Sequence, residues 1–162
     1  MVALKSLFFT ILGFLTVPGI VPWLLLQWSG GVPPLSPSIW LVGLLPLLVG
    51  VGLFLWCNGL FTFTGHGTLA PISAPIFLVR TGPYHWVRNP MYLALFLMIS
   101  GEALLFHSLW LIAYLLLLVL GVHLFVVFVE EPRLARKYGE SYQNYLRTVP
   151  RWLTRSPREE GG

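Results

Sequence analysis

No Asp, Glu, Lys or Arg occurs from Ser6 to Val79. A water-soluble chain does not fold around so long an uncharged stretch, because its surface needs charge. Of the 162 residues, 56% are hydrophobic and only 10% charged, where a soluble domain carries about a quarter charged. The fold class is therefore all-α and polytopic, a single membrane domain over residues 1–162. Backbone groups in hydrocarbon must be satisfied within the segment, which selects helices for apolar runs of about 20 residues.

Four such spans are expected, at about 7–26, 39–57, 91–106 and 109–129. Pro18 and Pro22 should kink the first, which has no small-residue cleavage pattern after it and reads as retained. His107 and Ser108 leave room only for a tight turn, so spans three and four form an antiparallel hairpin. The segment Thr62–Val79, broken by Gly65, Gly67, Pro71 and Pro75, reads as an irregular cavity lining. With four spans, all ten Lys and Arg residues fall on one side and the two opposite loops have none. The positive-inside rule makes that side cytoplasmic, with both termini on it. The net charge of +4 thus reflects topology and anionic headgroups, not nucleic acid. The lone Cys57 excludes a disulfide framework or a Cys-based metal site, and no metal is expected.

The same topology brings two polar clusters to one face: Arg80–Tyr92 and the tail from Glu130. Asn89 stands at a helix N-cap position with Pro90 next, a start whose free N–H groups suit an anion. Tyr84 and Trp86 offer flat faces that suit stacking on a base or anchoring in the headgroup region. Glu130 and Glu131 end the fourth span, where the helix dipole disfavours them unless arginines or a cation are near. His123, seven residues before Glu130, is within ~20° of the same helical face. Glu102 lies inside the third span, near the outer turn, where snorkelling to that surface or pairing with His107 would satisfy it. In the tail, Leu134, Tyr138, Tyr142 and Tyr145 form one stripe of an amphipathic cytoplasmic segment, weakened at Gly139.

The ordered stretches GHGTLAP, LVRTGPYHWVRNPMYLA and EEPRLARKYGESYQNYLRTVPRW resemble the integral-membrane methyltransferase superfamily. That group includes isoprenylcysteine carboxyl methyltransferases and phospholipid N-methyltransferases. The resemblance covers about residues 65–152. It implies an S-adenosyl-L-methionine site at the cytoplasmic ends of the C-terminal helices and a lipophilic or membrane-embedded acceptor. The superfamily motif Arg-His-Pro-x-Tyr here reads Arg88-Asn89-Pro90-Met91-Tyr92. By that match the cofactor pocket takes Tyr84, Arg88, Asn89, Pro90, Tyr92 and the backbone at Leu78 and Val79. The Gly65–Gly67 turn corresponds to a glycine-containing motif, and Glu130 and Glu131 to a paired acidic motif; the implied methyl transfer makes Glu130 and His123 the candidate catalytic residues, to take a proton from an amine or thiol acceptor. Leu124–Val129 is uncharged, a departure that argues against an isoprenylcysteine acceptor. A phospholipid N-methyltransferase is the narrower enzymatic reading, and a bacterial inner membrane the expected location. A non-catalytic scaffold or transporter on the same fold is the alternative. Transport predicts polar residues along the spans, and only Asn58, Glu102 and His123 come near that.

Overall fold

The computed structural model describes residues 13, 15–30, 37–63 and 78–153. All regular structure among them is helical. We label the helices α1 (Val21–Trp28), α2 (Pro37–Phe63), α3 (Pro83–Trp86), α4 (Pro90–Leu105), α5 (Leu109–Phe125), α6 (Glu131–Tyr138) and α7 (Glu140–Thr148).

Among the described residues, two stretches are long and apolar enough to cross a membrane: Leu41–Phe63, and Leu109–Tyr138, in which α5 runs on into α6. Helix α4 is apolar but shorter. Helix α2 overruns the expected second span at both ends, and the polypeptide stays helical despite Pro46. Both long stretches expose large apolar side chains on their outer faces, among them Leu41, Leu45, Leu116 and Leu120. No water-soluble surface carries such a belt, whereas lipid covers it without cost.

Helices α2 and α4 pack antiparallel, and three glycines set their distance. A Cβ on Gly101 would fall 2.7 Å from the carbonyl oxygen of Gly43 and from backbone and Cβ of Leu47. One on Gly50 would fall 2.7 Å from the carbonyl oxygen of Ala94. Without a hydrophobic drive between helices in lipid, such close backbone approach maximises dispersion contact. Ala94, Met98 and Phe54 fill the seam. After α4, His107 takes a left-handed conformation (φ 46) and the Ser108 hydroxyl caps α5 by accepting from the N–H of Leu111. This is the tight turn expected. The Oε2 of Glu102 is buried with no hydrogen-bond partner, and no ion pair with His107 occurs among the described residues.

Two prolines reshape the helices before them. The N–H of Val21 bonds to Thr16 and that of Glu131 to Val126, each a widened i→i+5 turn closing one residue before a proline. The wider turn relieves the clash of a proline ring with the carbonyl four residues back. It leaves the carbonyl of Val17 without a donor from Pro22, and the Tyr114 hydroxyl of α5 supplies one at 3.1 Å. The tail forms two helices, α6 and α7, because Gly139 sits at φ 56 between them. Tyr142, Tyr145 and Val149 are buried, with Leu78, Leu134 and Tyr138 packed on them. The expected stripe is thus a core of its own.

Candidate functional site

The site lies at the basic end of the bundle, where α2 finishes, α4 begins and α5 passes into α6. The Arg80 guanidinium donates to the backbone oxygen and hydroxyl of Ser141 and lies over the Tyr145 ring. The Tyr145 hydroxyl donates to the backbone oxygen of Tyr84 at 2.6 Å. These contacts clamp α7 onto the Arg80–Tyr92 segment. Burial, then the charge of Tyr142, push the Tyr145 phenol well up, so it remains a donor at any physiological pH. Burial likewise raises Tyr142, to about 12, with Glu131 adding to the shift and Arg88 opposing it.

After α7 the chain turns back over the start of α4. The backbone N–H of Arg88 donates to the carbonyl of Pro150 at 2.9 Å, and the Asn89 amide donates to the carbonyl of Arg151 at 3.2 Å. Asn89 therefore occupies the N-cap position without capping. Its side chain is spent on the returning chain, and Pro90 follows as expected at the first turn.

The paired carboxylates separate. Glu131 accepts from Arg88 (2.8 Å) and from both Nε and Nη2 of Arg151 (2.7 and 2.9 Å). Glu130 accepts from the Tyr92 hydroxyl at 3.0 Å. Neither makes a side-chain hydrogen bond to the neighbouring basic residues of α6 among the described residues, although the charge of Arg133 acts on Glu130. The unfavourable helix end is also avoided: the chain stays helical past the widened turn, and Glu131 begins α6. The hydrogen bond to Glu131, opposed by burial, raises Arg151 further, which fixes its charge. Two guanidiniums on one carboxylate leave a net positive group, and the Nε of Arg88 is buried without a partner. A buried donor of this kind is costly unless an acceptor meets it.

His123 does not share the face of Glu130. The widened turn takes up about one more residue for the same winding, so Glu130 falls roughly 100° short of the angle a regular helix would give. Instead Nδ1 of His123 accepts from the indole N–H of Trp152 at 3.1 Å. The Trp152 ring stands beside Tyr92, Phe96 and His123, with centroids 6.5, 5.9 and 6.2 Å away.

A family model described as phospholipid methyltransferase matches residues 40–141, more than half of the chain. The chain belongs to the phospholipid methyltransferase family. It shares with that family a place in the wider group of membrane methyltransferases that includes the isoprenylcysteine enzymes. An integral-membrane location agrees with the family and with the two apolar helices. No curated protein and no solved structure matches.

The matched stretch of this phospholipid methyltransferase family member contains Arg88, Tyr92, Glu130 and Glu131 and ends before Pro150. Of the expected cofactor residues, the structure brings Arg88, Asn89, Pro90, Tyr92, Glu130 and Glu131 together. Leu78 packs on the α7 core, and Val79 is buried beside Cys57 and Tyr84. Tyr84 is 6% exposed and its ring is covered edge-on by Phe61 at 5.3 Å, so it offers no open face for stacking. Burial, reinforced by Cys57, pushes its phenol well above the usual range. Trp86 is exposed and suits the interfacial role. Gly65 and Gly67 lie outside the described residues, as does most of the expected cavity lining. Among the described residues no cluster of metal ligands occurs. Arg151 was legible only as one of the ten basic residues that set the topology, and Trp152 only as the end of the last stretch that carries the resemblance. Their sole sequence signal was the density of charged and aromatic residues after α7.

Proposed function

We propose that this chain transfers a methyl group from S-adenosyl-L-methionine to a phospholipid at the cytoplasmic boundary of the membrane. The observation that carries the reading is the half-buried cluster Arg88–Glu131–Arg151 beside Tyr92–Glu130, of which all but Arg151 lie within the family match. Its donor set suits a zwitterionic ligand. The unpartnered Nε of Arg88 supports an anionic partner such as the ligand carboxylate. Glu130, steadied by Tyr92, is placed to hold an ammonium or ribose hydroxyls. Glu131 serves by orienting the two arginines. Pro90 starts α4 so that its free N–H groups face the same cluster, and Gly65, Gly67, Leu78 and Val79 would complete the pocket wall.

Bound there, S-adenosyl-L-methionine supplies a methyl group activated on a sulfonium. The protein's task is then to hold donor and acceptor in line, reacting atoms ~3–3.5 Å apart, and to keep water out. An amine acceptor must shed a proton, and Glu130 is the group placed to receive it. His123 is not free to do so, because its lone pair is occupied by Trp152. Four spans with both termini cytoplasmic would let the acceptor enter from the bilayer and the donor from the cytosol.

Titration calorimetry of the purified protein with S-adenosylhomocysteine tests this reading. Saturable binding is expected, weakened about tenfold or more in Glu130→Gln, a loss of about 1.4 kcal/mol. A folded sample that gives no binding heat overturns it.

A further inference from the structure

On the other side of the Trp152 indole, α4 and α5 leave an open groove of about 410 Å³. That volume falls in the range of small-molecule sites. One wall is a stripe of α5: Leu116, Val119, Leu120 and His123 recur at helical spacing. Leu93 and Phe96, one turn apart on α4, form the other wall, and Trp152 closes the basic end. The groove is continuous with the exposed apolar belt of α5, so its mouth opens toward lipid.

The closed end is polar in one specific way. An indole N–H can only donate, so the His123 nitrogen that receives it carries no proton. The neutral ring must then carry its proton on Nε2. Trp152 thereby locks His123 as a hydrogen-bond donor with no lone pair to offer. A hydrocarbon-walled groove ending in a fixed N–H matches a molecule with an apolar chain and an acceptor oxygen at its head. Ester and phosphate oxygens of a glycerophospholipid have that chemistry. Across the same indole lies Tyr92, which holds Glu130. One aromatic ring therefore divides the apolar groove from the polar cluster.

We infer that this groove seats a chain of the acceptor phospholipid. His123 binds an oxygen of its head through Nε2–H, and Trp152 is the positioning residue that fixes the imidazole. The inference rests on the proposed methyl transfer for the word acceptor, but its test does not require turnover.

The protein in nanodiscs is irradiated with a phosphatidylethanolamine that carries a diazirine in one acyl chain. A diazirine-bearing hydrocarbon without oxygens serves as the reference probe. The phospholipid probe is expected to label Leu93–Phe96 and Leu116–His123 in preference to the rest of the apolar surface. His123→Leu and Trp152→Phe should each cut that labelling about fivefold, the worth of one hydrogen bond. His123→Gln, which keeps an N–H donor, should restore most of it, a rescue that a purely structural histidine would not show. The hydrocarbon probe should respond to none of the three. In turnover the same two variants should raise the acceptor KM by a larger factor than they lower kcat. Equal labelling in all variants means annular lipid only, and cross-linking to a second copy means a protein interface; either overturns the inference. Wild-type protein that binds no S-adenosylhomocysteine sinks the methyl-transfer reading, while the labelling pattern still decides the groove.

Discussion

Glu131 is one carboxylate holding two guanidiniums from opposite directions in the chain, Arg88 from the start of α4 and Arg151 from beyond α7. Its side chain and that of Arg88 are 15% and 11% exposed, so the charges are largely removed from water. Removing the carboxylate charge leaves two cations facing each other, which costs far more than losing a surface pair. Glu131→Gln is therefore expected to lower stability by roughly 3 kcal/mol, seen as a lower thermal midpoint in detergent. An unchanged midpoint would show that the arginines find other partners. The importance of Glu131 and Arg88 was legible, because charged side chains at helix ends of an apolar chain need a reason. Their pairing was not, since 43 residues separate them and three other basic residues follow Glu131 within α6. Asn89 shows the same limit: position and residue type say cap, and a carbonyl brought over by the returning chain takes the side chain instead.

Helices show where local rules carry and where they stop. Pro22 and Pro132 each widen the turn before them, and the second widening turns Glu130 away from the face of His123. A regular 100° step would have kept the two together. Proline announces a disturbance in the sequence, but whether the chain kinks, breaks or inserts a residue depends on what packs around it. The glycines of α2 and α4 follow the same logic. Gly43, Gly50 and Gly101 look like ordinary residues of apolar runs until the two helices are seen backbone to backbone. Gly101→Ala should push α4 off α2 and cost about 1–3 kcal/mol, measurable by chemical denaturation in mixed micelles. Gly121, which has open space around it, is the matched control and should tolerate alanine.

At the scale of the molecule, the polar site sits at one end of an apolar bundle, and Arg80, Arg88, Arg133, Arg136, Lys137, Arg147 and Arg151 gather there. The proposed orientation follows from that asymmetry. A tag at Gly30 should be accessible from outside the cell membrane and one at Gly162 from inside, and the reverse pattern would overturn it. Composition and charge placement by themselves determined that this is an all-helical membrane chain, that its third and fourth apolar runs form a hairpin, and that two polar clusters share a face. Those properties follow from the cost of exposing apolar surface to water or charge to hydrocarbon, which every residue pays locally. Only the tertiary structure decided which carboxylate holds arginines and which holds Tyr92. It also brought Arg151 onto Glu131 and the Trp152 indole onto His123. Such choices depend on atoms a few ångströms apart whose positions are set by packing between segments distant in the chain, and no spacing along the sequence encodes them.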